Sequence, residues 1–210
     1  MTLADLMGLF LAGLVRLITG AQGHWIGCAP TPEQRIYFAN HQSHLDWVMI
    51  WAALPRKLRH KTRPIAARDY WMSSRFRHWL TREVFNAVYL SRQVARRGAD
   101  DAGPLEPLLE ALRNGDSLVI FPEGTRGNTG IPDTFKPGIF HIARQFPDVP
   151  LIPAWVDNVQ RVMPKGEVVP VPMLCSVSFG APMRLEAGET KRSFLTRTRD
   201  AVLALKPVSS

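Results

Sequence analysis

The chain has 210 residues, 46% of them hydrophobic, which is enough to bury a sizeable core in one domain without disulfides. Its two cysteines, Cys28 and Cys175, lie far apart in no C-x-x-C pattern; this excludes a disulfide-stapled scaffold and suits buried thiols in a reducing compartment. With 26 Lys and Arg against 18 Asp and Glu the net charge is +8, so an acidic surface is the expected partner. In chain order, the first segment, residues 1–20, places Leu3, Leu6, Met7, Phe10, Leu11, Leu14, Leu17 and Ile18 at helical spacing. Only ten uncharged residues separate Asp5 from Arg16, against about twenty for a spanning helix, and no basic segment precedes the run as a signal peptide requires. Two readings stand: a helix docked on the domain's own core, or an interfacial membrane helix, with Gly8, Ala12 and Gly13 on its weakly charged opposite face. The rest, 21–210, reads as a single domain.

A buried strand is predicted near 35–39, followed by Asn40, His41, Gln42, Ser43, His44, Leu45 and Asp46 and a helix over 44–54. Ser43 is the expected N-cap. Asp46 then falls at N3, where its carboxylate either closes a capping box or folds back toward the loop that carries His41. The second arrangement makes a general base, with one imidazole nitrogen held and the other left to take a proton. The same string also reads as an ordinary helix cap. It resembles a metal-ligand spacing too, but no third and fourth ligand is apparent elsewhere, and no metal is expected. His44 reads as an exposed helix-start residue.

Beyond this helix comes the densest basic cluster, Arg56, Lys57, Arg59, Lys61 and Arg63. A strand near 64–68 and a helix over about 70–82 follow, the latter carrying Arg75, Arg77 and Arg82 among Trp71, Phe76 and Trp79. Near an anionic leaflet each such charge contributes about 1 kcal/mol. A merely solvated basic face is the alternative. Basic and aromatic residues also bind nucleic acid, but no recognition motif accompanies them and no such partner is expected. The pattern continues with strand 86–90, helix 105–113 and strand 117–121. That strand ends in Pro122, Glu123, Gly124, Thr125, Arg126 and Gly127. Gly124 permits a turn, and Arg126 offers a planar donor fork suited to phosphate or carboxylate. The glycines lack both nucleotide-loop spacings. A helix over 138–146, a strand over 150–155, a Pro-rich stretch over 164–172, a strand around 175–179 and a last helix over about 190–205 complete the chain. This alternation predicts an α/β fold, layered, with a largely parallel or mixed sheet flanked by helices.

Together these strings resemble the lysophospholipid acyltransferase family, the 1-acylglycerol-3-phosphate acyltransferases and their relatives. The first block, N-H-x-x-x-x-D, is present as Asn40, His41 and Asp46, and the third, F-P-E-G-T-R, runs unchanged from Phe121 to Arg126. Phe85 to Arg92 resembles the second block, with Asn86 where glycine is common and Ser91 before the arginine. Val149 to Trp155 resembles the fourth, and Phe135, Lys136, Pro137 and Gly138 match the segment that follows the third. The resemblance spans roughly Gln34 to Trp155.

It implies a glycerol-3-phosphate acyltransferase-like fold and acyl transfer from acyl-CoA or acyl carrier protein, the co-substrate, to the hydroxyl of a lysophospholipid, with no cofactor. His41 and Asp46 would be catalytic. Arg126, Arg92 and Lys136 would neutralise the acceptor phosphate, and Glu123, with Gly124 and Thr125, would position the acceptor or the turn itself. The expected location is the cytoplasmic face of a membrane, peripheral or monotopic. Two alternatives accompany this reading: a lyso-aminolipid acceptor, whose carboxylate Arg126 would bind, and a catalytically silent lipid-binding relative.

Overall fold

The computed structural model describes residues 2–20, 22–43, 45–67, 74–90, 105–127, 131–157 and 175–207. The elements in order are α1 (Leu3–Thr19), β1 (Gln22–Trp25), β2 (Ile36–Ala39), α2 (Asp46–Ala53), α3 (Arg56–Arg59), β3 (Thr62–Ala67), α4 (Arg75–Trp79) running into a π-helical turn (Leu80–Val84), β4 (Val88–Leu90), α5 (Glu106–Arg113), β5 (Ser117–Ile120), α6 (Gly138–Gln145), β6 (Leu151–Asp157), β7 (Ser176–Phe179) and α7 (Lys191–Leu203). The predicted alternation is borne out, with the addition of β1 and α3. The Pro-rich stretch, Arg92 and His44 lie outside the described residues.

The strands form one seven-stranded sheet in the order β1-β7-β6-β2-β5-β3-β4. The strands from β6 to β4 are mutually parallel, β7 is antiparallel to β6, and β1 is parallel to β7. Parallel strands covered on both faces call for continuous apolar sequence, and all four residues of β2 and of β5 are buried. Side chains alternate across the sheet. Tyr37 and Ala39 of β2 pack with α2 and α1 on one face, while Ile36 and Phe38 pack with α5, α6 and α7 on the other.

That division positions the functional site. The chain leaves β2 for α2 on the first face and leaves the neighbouring β5 for α6 on the second. Adjacent parallel strands whose connections depart to opposite faces open a crevice at their carboxyl ends, where α/β sheets bind ligands.

Local chemistry explains several boundaries. α1 opens with a capping box, Thr2 accepting from the Asp5 amide while Asp5 accepts from that of Thr2. It docks on α2 and the π-helical turn through its small face: a Cβ on Gly8 would already touch Val84 and Trp51, and Ala12 is buried. Arg16 donates to the Ala52 carbonyl at 3.0 Å, satisfying a group at the end of α2. Leu3, Leu6, Phe10, Leu14 and Leu17 face outward, Leu17 at 83% exposure. The helix therefore docks through the weakly charged face, with Gly8 and Ala12, and leaves an apolar stripe unburied. Among the described residues, no helix is long and apolar enough to cross a membrane.

Of the predicted helix over 70–82, residues 70–73, Trp71 included, lie outside the described residues, and the rest is α4 plus the π-helical turn. Thr81 supplies the reason, since its hydroxyl donates to the carbonyls of Arg77 and His78 and also meets the Tyr89 hydroxyl at 2.6 Å. Such back-bonding pulls the ladder out of its α register. Asn86, where the family resemblance expects glycine, has φ +47, a left-handed conformation that Asn tolerates better than other side chains.

Candidate active site

His41 and Glu123 follow the carboxyl ends of β2 and β5, adjacent parallel strands, and so meet in the crevice between them. The helix-cap expectation needs correcting: Asp46 is the first residue of α2 rather than N3, the N-cap position falls to Leu45, which has no side-chain cap bond, and Ser43 lies two residues earlier with its hydroxyl accepting from the Leu45 amide at 3.3 Å. Starting the helix at Asp46 leaves its carboxylate free to fold back over the preceding loop. Oδ2 accepts from the backbone amides of Gln42 at 2.6 Å and Ser43 at 2.8 Å, and lies 2.9 Å from His41 Nδ1. Of the two arrangements the sequence left open, the chain adopts the one that reaches His41.

The carboxylate is 1% exposed and the imidazole 19%. With Nδ1 engaged, Nε2 has no partner among the described residues. The ring is further fixed by stacking on Phe121, with centroids 4.3 Å apart and planes 21° from parallel. A carboxylate accepting from Nδ1–H selects the tautomer whose Nε2 is open to take a proton.

The main chain of His41 is held as firmly as its ring. Its amide donates to Glu123 Oε1 at 2.7 Å, and its carbonyl accepts from the Gly127 amide at 2.9 Å. Glu123 Oε2 accepts from the Asp133 amide at 3.1 Å. The Glu123 carboxylate, 2% exposed, thus ties the His41 loop to both ends of the turn after β5. Burial raises its pKa above the usual carboxylate value, opposed by the two amide hydrogen bonds. Of the two expectations for Glu123, its engagements are with the turn. Two glycines make the close approach workable: Gly124 has φ +70, and a Cβ on Gly127 would sit 3.2 Å from Glu123 Oε2.

Thr125 and Arg126 are exposed at the rim, and Arg126 makes no hydrogen bond or ion pair among the described residues. Lys136 is half-buried, its amide donating to the Pro122 carbonyl at 2.7 Å. Neither thiol belongs to the site chemistry. Cys28 is only half-buried, a correction to the expected burial, and Cys175 is buried with its pKa pushed up to about 11, by desolvation first and then by Asp157 and Asp46.

Sequence reasoning quoted Asn40 without giving it a task. Its side-chain amide pairs with the main chain of Val156, donating to the carbonyl at 3.0 Å and accepting from the amide at 2.8 Å. It extends the β2–β6 ladder by one rung beyond Ala39 and fixes where the loop departs. An Asn directly after a buried strand was the available signal.

A family model described as Acyltransferase matches residues 28–157, a span that contains both halves of this arrangement. The chain belongs to the acyltransferase family. It is 31% identical over 141 residues to mouse 1-acyl-sn-glycerol-3-phosphate acyltransferase alpha, covering 66% of this chain and 45% of the relative. To the 1-acyl-sn-glycerol-3-phosphate acyltransferase of Limnanthes douglasii it is 28% identical over 178 residues, covering 81% and 58%. The chain therefore spans about half the length of these curated relatives. Among solved structures, the 1-acyl-sn-glycerophosphate (LPA) acyltransferase of Thermotoga maritima superposes with a TM-score of 0.72 at 20% identity, covering 96% of this chain and 78% of that one. The acyltransferase fold is thus shared along nearly the whole chain.

Proposed function

We propose that this chain transfers a fatty acyl group from a thioester, acyl-CoA or acyl carrier protein, to the free hydroxyl of a 1-acyl-glycerol-3-phosphate-like acceptor, a step of phospholipid biosynthesis. The observation that carries the reading is the 2.9 Å contact between His41 Nδ1 and Asp46 Oδ2 at the crevice, which leaves Nε2 as the working nitrogen. The names of the curated relatives support the acceptor class.

In this mechanism Nε2 removes the proton from the acceptor hydroxyl as its oxygen attacks the thioester carbonyl. The tetrahedral intermediate then collapses, the C–S bond breaks, and the departing thiolate recovers the proton from Nε2. Asp46 orients the ring and stabilises the imidazolium. General-base assistance of this kind is worth about 10² to 10⁴ in rate. Arg126, with Arg92 and Lys136, holds the acceptor phosphate, and the exposed position of Arg126 at the rim suits a ligand arriving from outside. Glu123 acts as a positioning residue that keeps the His41 loop in place. The unburied stripe of α1 and the basic segments after α2 set the enzyme on an anionic membrane surface, at its cytoplasmic face, as a peripheral or monotopic protein.

The test pairs a variant with an acceptor panel. His41→Ala should remove transfer while leaving the far-UV circular dichroism unchanged, and near-normal turnover by the folded variant would sink the mechanism. With the unaltered chain, lysophosphatidic acid should be used far better than monoacylglycerol, and Arg126→Lys should raise the acceptor KM with little change for the donor. Equal use of both acceptors moves the reading to a lipid without phosphate, and binding without turnover moves it to a silent relative.

A further inference from the structure

A second basic feature lies beyond the far end of α2 from Asp46, where α1, α3 and the π-helical turn enclose a cleft of about 240 Å³. The eight residues of α2 separate its two ends by about 12 Å, so this is a different place from the His41 crevice. Trp51, Arg56, Arg59 and Arg82 line the cleft, with Gly8 of α1 opposite.

Arg59 is the unusual member. Its guanidinium lies over the Trp51 ring, 5.0 Å from the centroid, and Nη1 is buried with no hydrogen-bond partner among the described residues. The charges acting on it are those of Arg16 and Arg56, both cations. Burial, then these two neighbours, lowers its pKa to about 10, which still leaves it charged at neutral pH. Arg16 is committed to the Ala52 carbonyl, and the two carboxylates of the cleft are committed as well: Asp5 to the capping box and Glu83 to Arg82 at 3.3 Å. Among the described residues Nη1 thus finds no acceptor on the protein side, and compensation has to come from the cleft. A planar fork with a second arginine beside it matches the oxygens of a phosphate. The volume is below that of pockets for drug-sized molecules, giving room for a head group and none for acyl chains. One wall belongs to α1, through Asp5, Gly8 and Leu9.

We propose that the cleft between α1, α3 and the π-helical turn is an anion site for a phosphate group, centred on Arg59 and Arg56 and separate from the acceptor-binding crevice. It is independent of the acyl-transfer reading.

The experiment uses the 210-residue chain carrying Arg126→Ala, which weakens the acceptor site by removing the arginine at its rim. Calorimetric titration with inorganic phosphate, and with dihexanoyl phosphatidic acid below its micellar concentration, should show saturable binding of one equivalent. Adding Arg59→Gln should weaken it at least tenfold, and Arg56→Gln should weaken it by a smaller factor. If Arg59→Gln fails to fold by circular dichroism, Arg56→Gln at the exposed mouth carries the test. Tighter binding of the short-chain lipid than of inorganic phosphate assigns a lipid head group, and equal binding assigns free phosphate; both support the site. Absence of saturable binding in the Arg126→Ala chain, binding unmoved by either second substitution, or equal competition by acetate at matched ionic strength would overturn it.

Discussion

At the scale of single residues, His41 is gripped from four sides: by Asp46 at Nδ1, by Phe121 across the ring face, by Glu123 at its amide and by Gly127 at its carbonyl. The ring has one nitrogen left, and its position is set by groups that do not themselves need to move. Asp46→Asn keeps the volume and an oxygen to accept the loop amides, but removes the charge that offsets an imidazolium. For a buried carboxylate behind a catalytic histidine such a change costs about 10⁴ in kcat, and we expect a loss of that order with folding retained. Steady-state kinetics at saturating donor and acceptor, beside a thermal melt, makes the check. A folded variant keeping more than a tenth of the activity removes Asp46 from the mechanism.

At the scale of elements, β2, β5 and β6 were legible because each is an apolar run closed by a breaker, and α7 because Thr190 precedes it and caps the Ser193 amide. β1 was not legible. It has four residues, partly exposed in alternation, and owes its strand state to β7, including the stacking of Trp25 on Phe179 at 4.2 Å. The π-helical turn was equally hidden, because it depends on where the Thr81 hydroxyl finds acceptors. α7 carries its own prediction. Glu189, just before it, receives both Nε and Nη2 of Arg197, at 2.8 and 2.6 Å, and this holds its carboxyl below the usual glutamate value. A depressed folded-state pKa contributes stability that is fully present above the unfolded value of 4.5 and is lost as pH falls through the lower folded value. Glu189→Gln should therefore lower the thermal midpoint at pH 7 and leave a smaller loss on acidification. Parallel pH profiles of the two chains would refute the linkage.

At the scale of the whole molecule, the pairing of His41 with Asp46 was readable because the two are close in sequence, whereas the clasp around them was not. Glu123 reaches His41 across 82 positions and binds a backbone amide, a contact that leaves no pattern in side-chain identity. The placement of α1 was readable only as two alternatives, and the molecule combines features of both by docking one face and exposing the other. Leu17→Asp or Phe10→Asp changes the outward stripe without touching the docked face. Either should reduce sedimentation with vesicles containing anionic lipid while leaving the melt of the protein within a few degrees, and added salt should weaken what binding persists. Unchanged sedimentation of both variants in high salt would show that the stripe is not what meets the lipid.

The pairing of β1 with β7 has a consequence for biogenesis. Gln22 sits beside Ser176, so the outer edge of the sheet joins residues 154 positions apart in the chain. At about 5 to 20 residues per second of synthesis, β1 waits roughly 8 to 30 seconds for its partner to emerge. α1 and its apolar stripe precede β1 and are free of the ribosome throughout that interval. The proposed docking at a lipid surface is thus open to the nascent chain before the sheet closes.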